Sequence, residues 1–154
     1  MSTVLKKAWT RLVLPMVQRP KRVQVAALCY REDESGAKKV LLITSRGSGR
    51  WILPKGWPID GLDGAETALR EAWEEAGVKE AVIEPEPIGC YEFTKGMDTG
   101  GHAPVETYVH LARVTSLVDD YPEASERKRK WVSPGEAATM VREPELRAIL
   151  RGLS

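Results

Sequence analysis

Three glutamates, Glu71, Glu74 and Glu75, follow one another at the i, i+3, i+4 spacing that sets three carboxylates on one face of a helix. Like charges held this close repel each other unless a cation sits among them. A divalent ion with oxygen ligands, Mg2+ or Mn2+, suits such a set and usually keeps waters and substrate phosphates in its shell. A bare E-x-x-E-E is most often only a solvated acidic face. The context of this one, residues 56–78 (GWPIDGLDGAETALREAWEEAGV), shifts the balance. A Gly-Trp-Pro loop precedes the helix, Arg70 adjoins the acids, and Gly77 follows them.

The helix that must position these acids is expected over residues 64–76. Asp63 with Glu66 three residues on has the form of a capping box, and Gly77 supplies the C-terminal stop. Ala65, Ala68, Leu69, Ala72 and Trp73 make its apolar stripe. Before it, residues 23–31 (VQVAALCYR) read as a buried strand and 32–39 as a polar turn with a central glycine. The return strand is 40–45, so the three pieces make a hairpin. Residues 46–50 (RGSGR) form a flexible loop with an arginine at each end, and 51–53 a short strand closed by Pro54. After the helix, 81–93 holds one or two strands interrupted by Pro85 and Pro87. Residues 95–104 read as a loop, 107–114 as a strand, 118–126 as an acidic loop and 127–132 as a short basic strand. Ser133-Pro134-Gly135-Glu136 repeats the capping logic before a final helix broken near Pro144.

The chain has 154 residues, the size of one domain, with 42% hydrophobic and 29% charged residues. A net charge of +1 removes the whole-molecule basic signal of a dedicated nucleic-acid binder, so no nucleic-acid partner is expected. Cys29 and Cys90 are too few for a disulfide framework or a zinc site and read as buried thiols. No apolar run approaches 18 residues and the start lacks the form of a signal peptide, so no membrane association and a cytoplasmic location are expected. Residues 1–20 read as an appendage to a domain over 21–154. Val4, Leu5, Ala8, Trp9, Leu12 and Val13 fall near helical spacing, suiting a short helix packed on its own domain or on a sister subunit in a homodimer. A membrane-surface helix fits less well, because Pro15 limits its length.

Residues 56–78 resemble the Nudix box, G-x5-E-x7-R-E-U-x-E-E-x-G-U, with U a bulky aliphatic residue. Gly56, Arg70, Glu71, Glu74, Glu75, Gly77 and Val78 stand in register; Leu62 replaces the first Glu and Ala72 the first U. Asp60, Asp63 and Glu66 are the acids near enough to compensate for Leu62. The resemblance covers most of the chain from Lys21. It is nearest the diphosphoinositol polyphosphate phosphohydrolase group, through Arg22, Ser45-Arg46, Arg50-Trp51-Ile52, Thr107-Tyr108-Val109, Arg127-Lys128-Arg129 and Trp131. The segment 93–106 looks longer than in that group.

The resemblance implies an α/β fold, the Nudix-type α/β/α sandwich with a mixed sheet between helices. It implies a metal-dependent hydrolase of a diphosphate linkage in a highly phosphorylated small molecule, such as a diphosphoinositol phosphate or a dinucleoside polyphosphate. By resemblance, Glu71, Glu74 and Glu75 bind the metal, one of them acting as base, and Arg70 orients a glutamate. Loop carbonyls near Lys55 and Gly56 complete the site. A phosphate-rich ligand favours Arg22, Arg46, Arg50 and Arg127 as its contacts, since guanidinium forks match phosphate oxygens. Two alternatives stand beside this reading: a nucleoside triphosphate pyrophosphohydrolase, and a catalytically weak, nucleotide-binding regulatory domain, which Leu62 keeps open.

Overall fold

The computed structural model describes residues 22–96 and 102–153. The expected N-terminal helix and the middle of the 95–104 segment lie outside them. The first two strands, β1 (Arg22–Glu32) and β2 (Lys38–Thr44), pair antiparallel from Tyr30↔Val40 to Glu32↔Lys38. Their turn is fixed locally. Asp33 Oδ1 accepts from the amides of Ser35 (2.9 Å) and Ala37 (3.0 Å), and Gly36 takes the left-handed conformation at φ 85°.

Two short strands follow, β3 (Trp51–Ile52) on β2 and β4 (Lys55–Gly56) on β1. Helix α1 (Gly64–Ala76) leads into β5 (Val78–Ile83), β6 (Gly89–Gly96), β7 (His102–Leu117) and β8 (Arg129–Val132). Helices α2 (Pro134–Met140) and α3 (Pro144–Arg151) end the fold. The order β3-β2-β1-β7-β5 runs through a parallel pair, β1 with β7, from Arg22↔Val105 to Tyr30↔Arg113. β8 adds to β2 and β6 to β7. The sheet is therefore mixed.

Alternation along β1 and β2 builds two cores. Val25, Ala27, Cys29, Leu41 and Ile43 pack with Ala68, Ala72 and Ala76 of α1. Ala26, Leu28, Val40 and Leu42 pack on the other face with Ala137, Val141, Leu146 and Leu150 of the C-terminal segment. Both faces of the sheet are covered, which explains why residues 25–29 form a continuous apolar run rather than an alternating one. Each fully buried leucine contributes about 1.5–3 kcal/mol relative to exposure.

Three expectations change. Leu69 and Trp73 are only half-buried, and the stripe on the sheet is Ala65, Ala68, Ala72 and Ala76. The described ends of 95–104 are strand, not loop, because β6 and β7 pair as far as Gly96↔His102, with Pro104 opposite Thr94. Cys29 is buried, but Cys90 is half-buried. The break at Pro144 is real and separates α2 from α3.

Candidate active site

The site forms where α1 meets β4. Asp63 accepts from the Glu66 amide (2.8 Å) while Glu66 accepts from the Asp63 amide (3.0 Å), a complete capping box. Gly77 ends the helix at φ 73°. These caps fix the rotation of α1, and its alanine face holds it close to β1. The flank that carries Glu71 and Glu75 therefore lies against the β4 backbone. Gly56 permits this approach: a Cβ there would overlap the Glu71 carboxylate.

Glu75 is 6% exposed. Its Oε1 accepts from the Lys55 amide (3.2 Å) and its Oε2 lies 3.7 Å from Arg127 Nη2. Burial pushes both the Glu71 and Glu75 carboxyls above the ordinary glutamate range, and the two act on each other. The Glu74 charge reinforces the shift of Glu71. Neighbouring carboxylates that burial makes costly to ionise fit a divalent ion. Among the described residues no group of three His, Cys, Asp or Glu side chains stands close enough together to hold a metal ion, and a hard cation on this pair would draw its other ligands from carbonyls, waters and phosphate.

Arg127 is the cation that serves these acids. Its side chain is 7% exposed, its Nε donates to Glu123 Oε1 (2.9 Å) and its Nη1 to the Thr44 carbonyl (3.0 Å). The Glu123 amide donates to the Glu74 carbonyl (3.0 Å), and the Glu123 charge is felt by Glu71. Arg46 lies outside this cluster, 3.5 Å from Glu126 and 3.7 Å from Glu123, with its side chain 58% exposed. On the other side of β4, Lys55 Nζ donates to Gln24 Oε1 (3.1 Å) and sits 4.1 Å from the Phe93 ring centroid. Burial lowers its pKa to about 8. Arg50 is committed to Glu143 at 2.9 Å. Arg22 is exposed and stacks over Trp57 (4.3 Å), which Lys95 also approaches (5.3 Å), so Trp57 braces this rim with cations against it.

The structure thus gathers Glu71, Glu75, Lys55, Gly56 and Arg127, with Arg46 and Arg50 flanking them and Arg22 at the rim. Arg70 stands apart. It is exposed and lines a groove between α1 and β5 with Leu62, Glu66, Leu69 and Trp73, and it makes no ion pair with Glu71, Glu74 or Glu75. Asp63 and Glu66 are spent on the cap, so neither substitutes for the acid that Leu62 replaces. Sequence reasoning missed Glu123, Gln24, Lys95 and Glu143. Nothing in the acidic run 118–126 marks which acid turns inward. Among the described residues no helix is long and apolar enough to cross a membrane.

A mixed sheet between helices, with paired carboxylates on the helix that faces a glycine strand, is the Nudix-type α/β/α sandwich. The chain belongs to the Nudix family: the NUDIX domain model matches residues 20–152. It is 33% identical over 122 residues to the mitochondrial Nudix hydrolase 12 of Arabidopsis thaliana, covering 72% of this chain and 58% of that protein. It is 35% identical over 113 residues to the diphosphoinositol polyphosphate phosphohydrolase 3-alpha of Mus musculus, covering 70% and 62%. The chain therefore spans less than two thirds of the length of these relatives. The C. elegans Ap4A hydrolase structure superposes with a TM-score of 0.64 at 22% identity, covering 85% of this chain and 94% of that one, a likeness of fold. The family generally uses divalent metal ions.

Proposed function

We propose that the chain is a hydrolase of a diphosphate linkage in a phosphorylated small molecule and uses Mg2+ or Mn2+. The observation that carries this reading is the placement of Glu71 against Gly56 and of buried Glu75 on the Lys55 amide, in a chain of the Nudix family. Glu71 and Glu75 would hold the ion, with Glu74 beside them. When bound, the ion neutralises phosphate charge and polarises phosphorus. The chain's own groups do the rest. Arg127, fixed by Glu123 and the Thr44 carbonyl, limits repulsion in the cluster and keeps the Glu75 carboxylate in place. Lys55 and the outer Arg46 supply positive charge for phosphate oxygens. A carboxylate of the set takes the proton of the attacking water.

The diphosphoinositol polyphosphate phosphohydrolase and Ap4A hydrolase relatives support a substrate of several phosphates, either a diphosphoinositol phosphate or a dinucleoside polyphosphate. The test is a product-resolved assay of such compounds with Mg2+ or Mn2+ in labelled water. Turnover that chelator abolishes and metal restores is expected. Full activity in excess chelator would overturn the reading, and saturable binding without turnover would favour a regulatory nucleotide-binding domain.

A further inference from the structure

The sheet face opposite α1 carries a cluster of buried polar side chains. Gln24, Thr107 and Tyr91 stand at one level on β1, β7 and β6, paired Gln24↔Thr107 and Tyr91↔Thr107, and all three are buried. Lys55 reaches Gln24 and covers Phe93 beside them. Glu143 joins the cluster from the C-terminal segment. It holds the N-cap position of α3, where a short polar side chain would accept from the first helical amides, yet its carboxylate makes no capping bond. It reaches instead to Arg50, far away in sequence, through Oε2 (2.9 Å).

Glu143 is 5% exposed, and its other oxygen, Oε1, is buried with no hydrogen-bond partner. The Glu143 charge is felt by Lys55 and Tyr91. A buried carboxylate oxygen without a donor is costly, and a donor that arrives with a ligand would satisfy it.

We propose that Glu143 sets substrate specificity: its Oε1 accepts a hydrogen bond from a neutral N–H or O–H on the organic group that carries the diphosphate. This rests on the diphosphate-hydrolase reading above. A further phosphate at this point would face the Glu143 carboxylate, with Arg50 already paired to it and Lys55 left as the cation to meet the added charge. The cluster therefore favours a nucleoside or a free sugar over a polyol phosphorylated at every position. A base amine and a sugar hydroxyl present the same donor chemistry, and the choice of probes separates them.

The experiment measures kcat/KM with Mg2+ for three probes: diadenosine tetraphosphate, 5-phosphoribosyl diphosphate, which has a sugar and no base, and diphosphoinositol pentakisphosphate, which has no free hydroxyl. The native protein is expected to prefer the first or the first two. Glu143→Gln, which keeps size and an acceptor for Arg50, should lower kcat/KM for the preferred probes about ten- to a hundredfold, the scale of a charge-assisted hydrogen bond, and leave the third unchanged or raised. A loss confined to diadenosine tetraphosphate assigns the donor to the base, and a loss for both assigns it to the sugar. Glu143→Ser gives α3 the cap it lacks and must show the same pattern if the Gln variant folds poorly. Equal losses for all three probes, or none, overturn the proposal, since Glu143 would then act only through Arg50 or not at all. Calorimetric titration with non-hydrolysable methylene analogues separates the two readings. If the native protein turns over no probe, the hydrolase reading fails, while weaker binding of the nucleoside analogue by Glu143→Gln still upholds the role of Glu143 and unchanged binding overturns it.

Discussion

The two faces of the sheet are packed by different means. Against α1 the contacts are small: Ala68, Ala72 and Ala76 on Val25, Ala27 and Cys29. On the other face they are large: Val141, Leu146 and Leu150 on Leu28, Leu42 and Leu53. The alanine face buries less apolar area but brings the helix close enough for Glu71 to reach Gly56 and for Glu75 to reach the Lys55 amide. The leucine face supplies bulk and, at the junction of α2 and α3, carries the buried polar cluster of Gln24, Lys55 and Glu143. One face is built for placement and the other for stability, so a substitution on either should move one property and spare the other.

The sharpest way to break that contrast is on the leucine face. Leu150→Ala empties a fully buried site and should cost about 2–5 kcal/mol of stability by denaturant unfolding, with kcat/KM retained at temperatures where the variant is folded. A large fall in kcat/KM there would show that the two faces are not independent. On the alanine face, Glu75→Gln should lower the rate about a hundredfold, worth about 2.7 kcal/mol, without lowering the melting temperature of the metal-free protein. A neutral amide suits that buried place better than an isolated charge. Near-normal rates for this variant would make the carboxylate pair a structural relic.

Gly56→Ala is a finer probe. The added methyl displaces only the end of the flexible Glu71 side chain, so stability should hardly change while activity falls about tenfold. A matched loss of stability would instead mean that the β4 backbone had shifted. The smallest effect is in pH. The Glu71 and Glu75 carboxyls are raised when folded, so without metal the folded protein binds more protons than the unfolded chain. Their stabilisation is complete below the ordinary value of 4.5 and is lost as pH rises through the raised values. Lys55, lowered to about 8, acts oppositely, but only above that pH. In chelator the melting temperature should therefore fall between about pH 5 and about pH 8, and Mg2+ should flatten the fall. An unchanged slope with Mg2+ would mean that the ion does not compete with protons for these carboxylates.

Much of the carboxylate side was legible in the sequence. The box spacing, the Asp63–Glu66 cap and the stop at Gly77 are short-range features, and all formed as expected, as did the first hairpin and the break at Pro144. The errors share a cause. Leu69 and Trp73 fit the helical period but face a groove, because the close approach of α1 admits only alanines. The 95–104 segment reads as loop from its glycines and proline, yet pairing between β6 and β7 overrides local preference.

The sequence by itself determined which residues can act together within one turn of helix or one tight turn, because capping, helical spacing and glycine conformation depend on neighbours a few positions away. Only the tertiary structure decided the rest of the site. Arg127 rather than Arg70 meets the acids, Glu123 turns inward from an acidic run, and Arg50 is held by Glu143, 93 residues away. Those pairings follow from strand order and register, which bring distant segments together through packing of the whole sheet, and no local pattern encodes which of many similar charges will be carried into contact.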